Sequence, residues 1–171
     1  VNTFNADSVY AGPVADKYYD DKTGNGNMAG SNPISEGKFS FKGYPIGDNA
    51  GSAPMPGGAA GGELTVGNVG NSVNYQQIEF TRDHVGHTYT YMLEEKIPPE
   101  ANAGNGYTYQ GMTYDPVKYQ VEFVVTAQDV DGVATVHVAK TYYKVVDGVV
   151  EQNPTPEAEV AFRNSYDPED L

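Results

Sequence analysis

Three residues far apart in the chain carry the groups needed to join two side chains through an amide bond: Lys17, Glu95 and Asn164. A neutral amine attacks, a carboxylic acid polarises the amide carbonyl and shuttles protons, and ammonia leaves. Each of the three stands out by the same test. In an extended strand, alternate side chains point to the same face. In the stretch GHTYTYMLEE (86–95), Tyr89, Tyr91, Leu93 and Glu95 share one parity. Near the end of the chain, Val160, Phe162, Asn164 and Tyr166 share one parity, and near its start Ala15, Lys17 and Tyr19 do. Each polar group thus lies in line with side chains that belong in a core.

A buried carboxylate is costly unless it is paired, or protonated and hydrogen-bonded. Buried lysine tends to lose its proton, and a buried amide needs partners. Ordinary explanations exist for each residue taken alone. Glu95 could be the first solvated residue past a strand end, since Lys96 and the Pro98-Pro99 pair follow. Asn164 could bond an adjacent loop, and Lys17 could run its stem along the surface with its head in water.

The elements that must position these groups are strands. Val, Tyr, Thr and Phe recur in short alternating bursts, and long Ala/Leu/Lys/Glu-rich runs are absent. Val14–Tyr19, Lys38–Tyr44, Glu63–Val69, Tyr75–Thr81 and Gly86–Glu95 read as strands, followed by Val117–Ala127, Val133–Val146 and Glu159–Tyr166. The strongest signal is VKYQVEFVVTA (117–127), with Val117, Tyr119, Val121, Phe123 and Val125 on one face. Asp131-Gly132 and Asp147-Gly148 signal tight turns. Asp20–Asn32 is turn-rich, with Gly24, Gly26 and Gly30 as breakers. Pro45–Gly62, rich in Gly, Ala and Pro, offers little to bury and is expected to be the most mobile internal segment. Eight to nine strands and no helix predict an all-β fold, a β-sandwich with a closed barrel as the alternative. For Lys17 and Asn164 to meet, the first and last of these strands must be neighbours.

With 171 residues the chain is long enough for one domain with a real core. Its net charge of -13 repels nucleic acid and anionic membrane, so neither is an expected partner. The absence of cysteine excludes disulfides, thiolate catalysis and Cys-based zinc sites. His84, His87 and His137 form no metal-ligand spacing, so no metal and no cofactor are expected. Asp129-Val130-Asp131-Gly132 opens like a calcium loop but lacks the later glutamate and flanking helices. The glycines of Pro45–Gly62 lack a P-loop pattern, and no Ser/His/Asp set stands out, so nothing argues for a turnover enzyme. No run spans a membrane and the first residues are not a signal peptide; an exported chain of this kind would be a piece of something longer.

Several segments, in order, resemble one family. They are EGKFSF (36–41), QIEF (77–80), GHTYTYMLEE, MTYDPVKYQVEFVV (112–125) and the closing FRNSY (162–166). The combination is similar to the streptococcal-type pilin isopeptide-linkage domain, the FctA-like or T-antigen-like pilin module. What the resemblance implies is an Ig-like β-sandwich, with the family's acid at Glu95 and its amide at Asn164. It places the lysine on the first strand, where Lys17 fits the apolar alternation. Lys22 is the alternative, nearer the Phe39-Ser40-Phe41 strand but in a turn-like run, and Glu94 is the alternative acid.

The resemblance further implies a structural module of a Gram-positive, extracellular, cell-wall-anchored pilin or adhesin stalk. Its partners would be neighbouring modules of the same surface protein. The expected organisation is residues 1–12 as a linker or the end of a preceding module, 13–167 as the linkage domain, and 168–171 as a tail. Val1-Asn2-Thr3-Phe4 echoes Arg163-Asn164-Ser165-Tyr166, as tandem modules would. A second function class is a ligand-binding adhesin that contacts a host protein or glycan through residues 45–62 and 98–111, with Tyr107, Tyr109 and Tyr114 as contacts. A carbohydrate-binding sandwich appended to an enzyme is a third.

Overall fold

The computed structural model describes residues 8–23 and 34–171. The breakers Gly24, Gly26 and Gly30 and the Val1–Phe4 echo lie outside the described residues. Thirteen strands occur among those described. They are β1 (Val9–Ala11), β2 (Val14–Asp21), β3 (Ser40–Ile46), β4 (Leu64–Gly67), β5 (Ser72–Asn74), β6 (Ile78–Phe80) and β7 (Thr88–Glu95), followed by β8 (Thr108–Tyr109), β9 (Met112–Thr113), β10 (Lys118–Val130), β11 (Val133–Val146), β12 (Val149–Val150) and β13 (Ala161–Tyr166). Helical segments among the described residues are single 3₁₀ turns.

The strands form a six-stranded sheet, β12-β11-β10-β7-β3-β4, and a five-stranded sheet, β5-β2-β13-β9-β8, with β1 and β6 as a separate pair. This is the expected all-β sandwich. Each Asp-Gly step makes a two-residue turn with both residues at positive φ: Asp131 at 51° and Gly132 at 81°, Asp147 at 50° and Gly148 at 77°. That backbone matches the twist of the flanking strands. The first turn folds β10 onto β11 over the full length of the pair, from Lys118↔Val145 to Val130↔Val133.

The expected adjacency of first and last strands is present, and the pair runs parallel. Phe162 lies opposite Lys17 and Asn164 opposite Tyr19. Strand-pairing rules make this arrangement possible only with a long connection, and here the rest of the domain is that connection. β2 buries Ala15, Lys17 and Tyr19, β7 buries Tyr89, Tyr91, Leu93 and Glu95, and β13 buries Phe162 and Asn164. The inward parity read from the sequence therefore holds on all three strands. Between the sheets, Phe162 of β13 packs on Phe41 of β3 and Tyr119 of β10, with ring centroids 5.4 and 5.6 Å apart. Such tilted and edge-on aromatic contacts add to the burial of the rings themselves.

Two expectations need correction. Val9–Ala11, placed with the N-terminal linker, pairs with β6 in the register Val9↔Phe80 to Ala11↔Ile78. Pro45–Gly62, expected to offer little to bury, is folded onto the core. Its first residues complete β3, Ala53 and Met55 are buried, and the Tyr91 hydroxyl donates to the Pro54 carbonyl at 2.5 Å. The Met55 and Gly61 amides donate to Ala59 and Ala53 carbonyls. Small residues let the chain close into tight turns, and one methionine supplies the apolar anchor that composition counting overlooks.

Candidate functional site

Lys17, Glu95 and Asn164 meet between the sheets. Lys17 and Asn164 come from the five-stranded sheet as diagonal neighbours on β2 and β13, and Glu95 reaches across from the end of β7. The Lys17 ammonium donates to Glu95 Oε1 at 2.9 Å, and Asn164 Nδ2 donates to Glu95 Oε2 at 2.6 Å. Both Lys17 and Glu95 side chains are fully shielded from solvent. The Lys17 Nζ also lies 4.4 Å from the centre of the Phe39 ring.

Their electrostatics follow from that burial. Desolvation pushes Lys17 below the usual lysine range, against the opposing pull of the Glu95 carboxylate. It pushes Glu95 up, against the opposing effects of Lys17 and of the Asn164 hydrogen bond. Removing both charges from water therefore draws the two proton affinities toward each other. A proton passed from Nζ to the carboxylate leaves a neutral amine and a neutral acid without changing the net charge of the core.

The alternatives lie elsewhere. Lys22 sits at the surface beside Asp20, at 3.2 Å. Glu94 points to the opposite face of β7, where Lys42 and Lys118 approach it at 3.5 and 3.2 Å and the Tyr44 hydroxyl donates to it at 2.7 Å. Tyr107, Tyr109 and Tyr114 are half-buried.

One expectation about roles is reversed. Glu95 was expected to polarise the amide carbonyl. Instead it faces the amide nitrogen, and the carbonyl oxygen Oδ1 accepts from the backbone N–H of Asp115 at 2.9 Å. An N–H can only donate, so the amide's orientation follows from its partners. Asp115 was missed because its contribution here comes from the main chain. The signal available was the Asp-Pro step just before β10, since proline restricts the residue that precedes it.

An open cleft of about 500 Å³ lies beside the site, with Glu95, Asp115, Tyr107 and Lys118 among its walls. Among the described residues, no helix is long and apolar enough to cross a membrane.

Comparison with solved structures finds the major pilin of Streptococcus pyogenes, at 17–18% identity. One single-residue mutant gives a TM-score of 0.49 at 17% identity, and the pilin without a named mutation 0.43 at 18%. The T-13 major pilin from the same species gives 0.38 at 15% identity. Each match covers 95% of this chain, which spans 51% of the first two pilins and 55% of the third. Comparison with curated proteins gives no match. A family match extends over residues 16–167, nearly the whole chain and all three residues of the site, and by it the chain belongs to the FctA family, the Spy0128-like isopeptide containing domain.

Proposed function

We propose that this chain is a load-bearing module of a Gram-positive surface pilin or adhesin stalk, closed by a self-formed amide bond between Lys17 and Asn164. The observation that carries the reading is the convergence of a buried lysine and a buried asparagine on one buried carboxylate, 2.9 and 2.6 Å away. The linkage domain would include Val9–Ala11, paired with β6, and run to residue 167, with neighbouring modules of a cell-wall-anchored protein on either side.

The step balances without a cofactor. Lys17 Nζ passes a proton to Glu95 and, as a neutral amine, attacks Cγ of Asn164. The Nζ–Cγ bond forms, and the Oδ1 oxygen takes the electron pair. Glu95 delivers a proton to Nδ2, the Cγ–Nδ2 bond breaks, and ammonia leaves. Glu95 then accepts one of the two protons left on Nζ, the other stays on the new amide, and Glu95 ends as a neutral acid, one proton richer than the carboxylate it began as. A rigid core supplies proximity that a free amine and amide in water lack, and a single event per molecule suffices. The adjoining cleft offers ammonia a short way to solvent.

Intact-mass measurement of the purified protein tests the reading. The expected result is a deficit of one ammonia in wild type and none in Lys17→Ala, Glu95→Ala or Asn164→Ala. A wild-type mass equal to the sequence mass would overturn it.

A further inference from the structure

Asp115 makes three hydrogen bonds that together fix one atom against the amide. Its carboxylate Oδ1 accepts from the Val117 N–H at 3.0 Å, closing the turn that enters β10. Oδ2 accepts from the Arg163 N–H of β13 at 2.9 Å. With both oxygens engaged, the Asp115 side chain ties its own backbone to the strand that carries Asn164. The third bond is the product of that tie: the Asp115 N–H reaches Oδ1 of Asn164 at 2.9 Å. Pro116 then limits Asp115 to extended backbone, which removes competing conformations.

We propose that Asp115 supplies the oxyanion donor of the crosslinking reaction, its carboxylate acting as the positioning group and its backbone N–H as the contact to the reacting atom. The proposal rests on the amide-bond reading above. It assigns the two sides of the asparagine amide to separate partners, Glu95 to the departing nitrogen and Asp115 to the oxygen. When Lys17 attacks Cγ, negative charge builds on Oδ1. A preorganised N–H at hydrogen-bond distance in a water-excluded core meets that charge without reorganisation. The bond already exists in the ground state, where it also holds the amide plane so that Nδ2 faces the carboxylate. No alternative donor to Oδ1 occurs among the described residues' hydrogen bonds.

The carboxylate has a second effect. Its charge favours the protonated forms of both Lys17 and Glu95. The ionisable groups around it include those two, Tyr119 of β10 and Arg163 of β13, whose own N–H it binds, and Tyr107, Lys118, Lys144 and Glu151 share clefts with it.

The experiment follows the mass of full-length chain, recovered unreacted in denaturant, after dilution into refolding buffer at a series of pH values. Wild type, Asp115→Asn and Asp115→Ala are compared. Removing a whole oxyanion donor typically costs about 100- to 1,000-fold in rate. Loosening one by deleting the side chain that aims it is expected to slow Asp115→Ala by roughly 10- to 100-fold. Asp115→Asn keeps one acceptor and is expected to fall between. Its rate profile should also shift toward lower pH, because the charge that held both partners' protons on is gone. The shift reads the lost charge, and the fall in rate on the plateau of the profile reads the loosened N–H.

Should Asp115→Ala fail to fold, the near-isosteric Asp115→Asn decides alone. A wild-type rate and profile in Asp115→Asn would overturn the proposal. So would wild-type kinetics in a folded Asp115→Ala. If wild type itself never loses ammonia, the amide-bond reading fails and this proposal with it. If wild type reacts and the variants react equally fast, only this proposal fails.

Discussion

Glu94 and Glu95 are adjacent residues of the same type on one strand, and the pleat sends them to opposite solvents. Glu94 meets two lysines and a tyrosine hydroxyl on the outer face of β7. The Lys42 and Lys118 side chains there are 30% and 44% exposed, so water and salt screen the cluster. Glu95 meets one lysine and one amide in the dry space between sheets. The outer cluster has more partners and shorter access to solvent, yet it lacks what amide chemistry requires. Its lysines lie against a carboxylate with no side-chain amide between them, and their side chains keep contact with water. What separates a surface ion cluster from a buried lysine–carboxylate–amide cluster on this strand is one step in the side-chain alternation.

The largest effect expected from breaking that contrast is at Glu95. Glu95→Gln should abolish the ammonia deficit, whereas Glu94→Gln should leave it complete. The proposed bond would close a loop of 164 − 17 = 147 residues. In the chain-entropy model developed for disulfides, such a closure is worth about 5 kcal/mol. For a domain of this size that corresponds to a melting temperature lowered by roughly 10–20 °C, measured by calorimetry. A Glu94→Gln variant that lost the deficit would erase the distinction between the two faces.

Next comes the pH dependence of bond formation, followed by mass after refolding. The reacting pair holds one proton between Lys17 and Glu95. A second proton, added at low pH, blocks the amine, and loss of the shared proton at high pH removes the acid. The expected profile is a bell whose limbs belong to the pair as a unit. Burial raises Glu95 and lowers Lys17, so the plateau should be narrower than the interval between the ordinary values of 4.5 and 10.5. A rate rising without limit toward alkaline pH would remove the acid from the mechanism.

A smaller effect belongs to the outer face. Glu94→Gln should destabilise by about 1 kcal/mol in urea unfolding at low salt, with the difference shrinking as salt is added. An equal loss at high salt would mean that the cluster is better shielded than its exposure indicates.

The smallest concerns a second surface pair, Glu157 with Lys140 at 2.5 Å. The Lys140 hydrogen bond holds Glu157 below the ordinary carboxylate value of 4.5. A folded-state value below the unfolded one stabilises above the unfolded value, and that contribution is lost as pH falls through the folded one. The stability gap between wild type and Glu157→Gln should therefore be constant near neutrality and close below about pH 4.5. A gap that widened in acid would reverse the sign of the coupling.

Much of this was legible because strand parity is a strong code. Val117–Ala127 and Gly86–Glu95 announced their buried faces, and the two Asp-Gly steps announced their turns. The same code put Lys17, Glu95 and Asn164 inside without any knowledge of which strands pair. It failed where few residues carry the signal. Val9–Ala11 is too short for alternation to register, and Met55 stands without alternating apolar partners in a run of Gly, Ala and Pro. Asp115 escaped because the group that touches the amide is a backbone N–H, which every residue but proline carries. The orientation of the Asn164 amide was likewise invisible, being set by a loop that approaches from outside the strand pattern.

The parallel pairing of β2 with β13 has a consequence for timing. β2 is synthesised well before β13, and Lys17, Glu95 and Asn164 meet only when both strands are docked. A nascent chain that has not yet reached β13 holds the Lys17 amine and the Glu95 carboxyl but lacks the Asn164 amide. Every intermediate that has not seated β13 stays reversible, free to unfold and try again. On the proposed reading, covalent closure would come as a stamp of completion, set only on a domain whose strands β2 and β13 have found each other.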